Sequence, residues 1–189
     1  MNLEKSKLYS EELGINLRKG DKELFKWFLA SILYGARIPE TIARNTYHSF
    51  AYYDKLTPRK ILKAGWGYLV RYVMSKGGYV RYDEKTSAKL LKICKKLLKE
   101  YKGSLRSLHG KAKDSRDLEL KLMEFYGVGP VTVNIFLREL RPYWSKADVD
   151  VLPIVRKMAR RYKVNLDSYV RKSVVFTRVE AGLIRLRKS

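Results

Sequence analysis

Apolar residues return at three- and four-residue intervals along nearly the whole chain, and no stretch keeps a strict alternation. The pattern therefore predicts helices and no strands. Leu24, Phe25, Phe28, Leu29, Ile32 and Leu33 form the first clear stripe, with Asp21 placed to cap its start and Gly35 to end it. Pro39 stands at the first turn of a second helix whose inward face carries Ile42 and Tyr47. Thr57-Pro58 opens a third, through Ile61 and Leu62 towards Trp66, and a fourth covers Leu69 to Met74. Gly77-Gly78 is a break. A strongly amphipathic helix then starts at Thr86 or Ser87 and stops near Lys102-Gly103. Asp114 or Ser115 caps the next, from Arg116 to Tyr126, which Gly127-Val128-Gly129-Pro130 interrupts. Further helices run from Val131 to Leu140, from Pro153 to about Tyr162, and from Val170 to Leu186, with a loop from Pro142 to Asp150. There is no internal repeat, low-complexity stretch or linker. The expectation is an all-α fold in a single unit.

Charge changes this picture most. Among 189 residues, 41 are Lys or Arg and 19 are Asp or Glu, a formal net charge of +22. Like charges at that density oppose compaction, so the excess points to a polyanionic partner. Nucleic acid leads, because neutralised phosphates release counterions and give affinity without sequence preference. A membrane-spanning role is excluded, since no apolar run approaches the roughly 20 residues required. The charged stretch Met1 to Gly20 does not read as a signal peptide. An apolar content of 46% supplies a core. Cys94 is the single cysteine, which excludes an internal disulfide, a cysteine-based zinc site and an iron–sulfur cluster held by this chain alone. It lies on the apolar face of its helix and reads as a core filler. His48 and His109 have no ligand companions at useful spacing and read as structural or surface residues, so no metal site is expected. Glutamine is absent and 32% of residues are charged, a composition that leans towards a thermophilic source.

The most informative segment runs from Leu122 to Leu137. Two helical patterns meet there at a turn with glycine at alternate positions, Gly127-Val128-Gly129, followed by Val131 and Thr132. Glycine allows unusual backbone angles and close approach of a ligand. The turn leads into a helix N-terminus, whose free amides and dipole favour an anion. These parts make a phosphate-gripping device that reads no sequence.

With these residues the chain resembles the helix-hairpin-helix (HhH-GPD) superfamily of base-excision DNA glycosylases, which includes endonuclease III-like, adenine, 8-oxoguanine and alkyl-base glycosylases. The resemblance rests on the segment from Phe28 to Arg37, on Gly78 through Ser87 to Gly103, and above all on the hairpin continuing into Lys146-Ala147-Asp148-Val149-Asp150-Val151. It covers about residues 22 to 162. It implies two helical lobes around a cleft, one formed by about residues 31–140 and the other by about 1–30 with 141–189. The hairpin would lie beside the cleft.

The resemblance also implies a catalytic aspartate after the hairpin helix, at the mouth of a base pocket. Val149-Asp150-Val151 matches that context, and Asp148 is the rival; either could instead cap the helix opened by Pro153. The chemistry calls for such a group. Breaking an N-glycosidic bond builds positive charge on the sugar, which a fixed carboxylate stabilises while orienting or deprotonating water. The base must first leave the stack. Trp27, Tyr34 and Trp144 are candidates for the pocket wall, though each reads more readily as core. Ala36 or Arg37 stands where related proteins carry a residue that fills the vacated stack. Two departures matter. Val131 occupies the position of the lysine used by glycosylases that also cut the backbone, so the implied enzyme is monofunctional and uses water. The four-cysteine cluster of some members is missing, and Arg178, Arg185, Arg187 and Lys188 are candidates to contact phosphate in its place.

The implied partner is double-stranded DNA carrying a damaged or mismatched base, met by a monomer in a prokaryotic, nucleoid-associated setting. No organic cofactor is expected, although hairpin carbonyls of this kind can hold a monovalent cation. A glycosylase with lyase activity through another lysine, and a noncatalytic lesion-sensing module, remain as alternatives. The target base is left open.

Overall fold

Caps and breakers set most element boundaries. The computed structural model describes residues 2–187. Among the described residues there are ten α-helices and no strand. In chain order they are α1 (Tyr9–Glu12), α2 (Asp21–Tyr34), α3 (Glu40–Tyr52), α4 (Pro58–Tyr68), α5 (Asp83–Tyr101), α6 (Leu105–Lys111), α7 (Ser115–Met123), α8 (Pro130–Leu140), α9 (Pro153–Arg161) and α10 (Val174–Leu186). A π-helical segment, Leu69–Met74, continues from α4, and short 3-10 turns cover Leu3–Lys5 and Leu166–Ser168. Thr57, Asp114 and Ser173 each accept a hydrogen bond from the amide three residues on, while Pro58, Pro130 and Pro153 fill first-turn positions where a missing N–H costs nothing.

Three local expectations fail, each for a nameable reason. Asp21 does not cap α2; Gly20 stands there, and the Asp21 carboxylate reaches across to α6, accepting from Ser104 Oγ at 2.8 Å and the Arg106 amide at 3.0 Å. That interaction stabilises α6, a helix the hydrophobic pattern does not announce. Helix α5 begins at Asp83, behind a left-handed Tyr82, so Thr86 and Ser87 lie buried within it rather than at its start. Helix α10 starts at Val174 instead of Val170 because Ser173 is the cap. The N-terminal stretch, charged in composition, buries Leu8, Tyr9, Leu13, Ile15 and Leu17.

Helix α2 is the central element. It packs on both α3 and α8, and Phe28 meets Phe125 and Phe136 edge-on at 5.6 and 5.0 Å. Cys94 is fully buried in the core. Helix α4 lies along α5, and α10 packs on α9 and on the Leu3–Lys5 turn. Polar bonds secure that last junction. Arg178 pairs with Glu11 and donates to the Ser6 carbonyl; Arg185 donates to the Lys7 carbonyl at 2.7 Å and Glu12 at 2.9 Å. These two arginines are therefore committed to the fold rather than offered to phosphate. Arg187 is exposed, and Lys188 lies outside the described residues. Buried Glu139 of α8 accepts from the Tyr9 and Ser10 amides at 2.8 and 3.0 Å, which fixes the start of α1 on α8.

The end of α2 touches the start of α8 through Gly35. A Cβ there would fall 2.3 Å from Thr132 Oγ1 and 3.3 Å from Thr132 Cα. Gly35→Ala must push the two helix ends apart. A cost of roughly 1–3 kcal/mol is expected, read as a melting temperature lowered by about 2–4 °C per kcal/mol for a chain of this size.

A candidate active-site cleft beside the glycine hairpin

The hairpin is anchored from below and open above. Phe125 and Val128 are buried, and the Val128 amide donates to the Phe125 carbonyl at 3.0 Å. Gly127 sits at φ +70°, a conformation that disfavours any side chain. A Cβ on Gly129 would meet nothing within 4 Å, so the outer face of the turn has room for a close neighbour. The first helical bond of α8 is Val133 N–H to the Gly129 carbonyl at 3.1 Å. Pro130 carries no amide hydrogen, and the Gly129, Val131 and Thr132 amides donate to no other group among the described residues. Val131 is 59% exposed. Thr132, by contrast, packs its side chain against Gly35, and the Val128 side chain is core; these two residues can contribute only backbone to an anion. Lys89 of α5 lays its stem over Gly127, with Cδ 3.1 Å from where a Cβ would stand, and burial holds its amine below the usual lysine range.

Next to the hairpin helix lies a cleft of about 620 Å³. Ala36 and Arg37, from the loop after α2, form one side with Ile38. Val131, Ile135 and Arg138, one turn apart on α8, form another, and Tyr9, Tyr34, Glu40, Leu152, Ile184 and Arg187 are also in the lining. Tyr9 and Tyr34 meet edge to face at 5.5 Å. Burial pushes the Tyr34 hydroxyl up to about 12 against the opposing pull of Arg44. Arg44 acts on it electrostatically, but no hydrogen bond of ordinary geometry joins them.

The loop carrying both aspartates is held by its backbone. Val149 is buried, and its carbonyl accepts from Arg141 Nη2 at 3.0 Å and Arg171 Nη2 at 2.9 Å. The Asp150 carbonyl accepts from Asn134 Nδ2 of α8 at 2.9 Å. Arg141 is fully buried and paired with Glu180 of α10. The two carboxylates are treated differently. Asp148 is bound by Arg171 Nε at 2.6 Å and lies 3.9 Å from Arg141 Nε. The Asp150 side chain is fully exposed, at 102%, with only Arg171 at 4.0 Å. Asp148 is thus occupied in holding the loop, whereas Asp150 is available. The loop ends two residues on at Leu152, which is in the cleft wall.

No family model, curated protein or solved structure matches the chain.

Of the residues singled out by sequence, Ala36, Arg37, Tyr34 and Val131 come together around the cleft; Asp150 and Asp148 are not among its lining residues, although Leu152, two positions after Asp150 in sequence, is. Trp27 and Trp144 do not line it. Trp27 is fully buried and donates its indole N–H to the Phe136 carbonyl at 3.0 Å; Trp144 stacks on His109 at 4.5 Å and meets Phe136 edge-on. Both belong to the core, where a large ring with a satisfied N–H is most stable. His48 is exposed. Among the described residues no group of three or more His, Cys, Asp or Glu could hold a metal ion, and no helix is long and apolar enough to cross a membrane.

Four residues escaped the sequence reading. Arg138 and Asn134 share one face of α8 at i, i+4 spacing, a signal present in the sequence but hidden inside an apolar helix. Lys89 sits on the hairpin from 38 residues earlier. Glu119 of α7 is held above the usual carboxylate range by burial and by Asp150 and Asp148 nearby.

Proposed function

We propose that the protein is a monofunctional DNA glycosylase that hydrolyses the N-glycosidic bond of a damaged or mismatched base turned out of duplex DNA into the cleft. The observation that carries this reading is the glycine hairpin, whose unpartnered amides lead into the helix that walls the cleft and which is followed in sequence by Asp150, an exposed carboxylate with Arg171 4.0 Å away. The hairpin amides and the dipole of α8 would grip a backbone phosphate. Arg37 and Ala36, at the cleft edge, would fill the space left by the extruded nucleotide. Asp150 would stabilise positive charge on the sugar and take a proton from the attacking water. The net charge of +22 supplies affinity for the phosphate backbone. The protein would act as a monomer on DNA in a prokaryotic cell.

The test is a panel of end-labelled duplexes, each with one altered base, incubated with the protein and split into halves with and without alkali. Strand scission only after alkali is the expected result, and it names the base. A second reading, glycosylase with lyase activity, is favoured by Lys89, whose lowered amine lies against the hairpin. In that case scission needs no alkali, and borohydride traps a covalent adduct that Lys89→Met does not form.

A further inference from the structure

Arg138 is buried and poorly hydrogen-bonded, with its guanidinium carbon 6.0 Å from the centroid of the Tyr9 ring. Its residue is only 2% exposed, yet it lines the cleft. Its guanidinium donates one long hydrogen bond, 3.5 Å from Nη1 to Asn134 Oδ1, and its Nε meets no acceptor. Among the described residues no carboxylate lies within ion-pair distance of it; the adjacent Glu139 is turned to the Tyr9 and Ser10 amides. A guanidinium so placed is costly to keep unless something else brings acceptors to it. The surroundings say what kind of group that is. Ile38, Ile135, Leu152 and Ile184 give the cleft apolar walls, and Tyr9 and Tyr34 give it ring faces. Such a slot suits a flat, weakly hydrated ring rather than a hydrated anion. Arg37, Arg138 and Arg187 outnumber Glu40, the one carboxylate in the cleft lining, so the cleft disfavours a ring that carries positive charge.

We propose that Arg138 selects the base, and that the base is a neutral 6-oxopurine whose O6 and N7 accept hydrogen bonds from the guanidinium. The proposal rests on the reading of the cleft as the receptor of an extruded base. Two parallel N–H donors match two adjacent acceptors, the pairing arginine makes with the O6/N7 edge in duplex DNA. Adenine presents an amino group in place of O6 and would set donor against donor. Guanine shares the edge but is held in a regular pair. Hypoxanthine, formed when adenine loses its amino group, has the edge and sits in a weaker pair, so it leaves the stack at lower cost. Asn134 joins selection to chemistry, since its side chain touches Arg138 at one end and the Asp150 carbonyl at the other.

The experiment uses the full chain and free ligands: hypoxanthine, adenine and inorganic phosphate, with binding read by saturation-transfer NMR and titration. Hypoxanthine is expected to bind roughly tenfold or more tightly than adenine, and phosphate not to displace it. Arg138→Met is expected to lose the hypoxanthine signal while its melting temperature holds or rises, because an apolar side chain replaces a poorly paired buried charge. Arg138→Lys, which keeps the charge but not the two-donor edge, should lose it as well, and serves if the Met variant does not fold. Equal binding of the two purines, displacement by phosphate, or unchanged binding in both variants overturns the proposal. Hypoxanthine bound by wild type but never released from a duplex would sink the glycosylase reading and leave this site standing. Release of a different base, with no binding of hypoxanthine, would do the reverse.

Discussion

Asp150→Asn is expected to slow base release roughly 100- to 10,000-fold, the range over which a positioned acid or base acts, with duplex affinity essentially unchanged. Asparagine keeps the shape but can neither take a proton from water nor offset charge on the sugar. The loop should survive the change, because it is held through the Val149 and Asp150 carbonyls and through Asp148. Asp148→Asn separates the two carboxylates. It weakens the bond to Arg171 and loosens the loop, so the expected result is a smaller loss of rate accompanied by a lower melting temperature. Single-turnover kinetics beside a gel-shift titration measures both quantities. Full activity in Asp150→Asn with loss in Asp148→Asn would reverse the assignment. Tight binding without turnover in any variant or wild type would instead indicate a lesion sensor.

The largest stability effect is expected at Glu180. Its carboxylate and the Arg141 guanidinium are paired out of water, at 1% and 0% side-chain exposure. Removing one partner leaves the other charged and buried, so Glu180→Ala should cost about 3–5 kcal/mol, measured as a shift in the denaturant midpoint at constant slope. A double replacement, Arg141→Met with Glu180→Leu, should recover most of that loss, because a buried pair and an apolar pair of similar volume differ little. Activity should not return with it. Arg141 also holds the Val149 carbonyl, and methionine has no donor for that bond. A double variant that is stable yet slow would show that the pair is kept for the geometry of the aspartate loop.

The sequence disclosed the parts whose causes are local. Thr57-Pro58, Asp114, Gly127 to Pro130 and Pro153 mark helix boundaries through their own backbone and side chains, so they could be read in place. So could the buried faces, from spacing alone. What stayed hidden depends on partners far along the chain. Asp21 looked like a cap for its own helix because nothing nearby says that residues 104–106 will fold against it. Asp148 and Asp150 differ because Arg171 binds Asp148 at 2.6 Å but stands 4.0 Å from Asp150, and Arg141 approaches Asp148. Trp27 and Trp144 read more readily as core than as pocket wall, and in the fold Phe136 and His109 meet them there. Arg138 drew no notice within an apolar helix, and only the fold leaves it inside, lining a cavity.

The clamp formed by Arg141 and Glu180 has a consequence for the order in which the chain becomes competent. During synthesis the hairpin, α8 and the aspartate loop are made before residue 180 is joined. Until α10 arrives, Arg141 lacks its counter-ion, Arg171 has only just appeared, and the N-terminal segment has no Arg178 or Arg185 to hold it. A nascent chain can therefore already carry its basic surface and hairpin while the carboxylate beside them has no fixed position. On the proposed reading, DNA held by such a chain would keep its altered base until α10 pairs with Arg141 and secures the N-terminal segment.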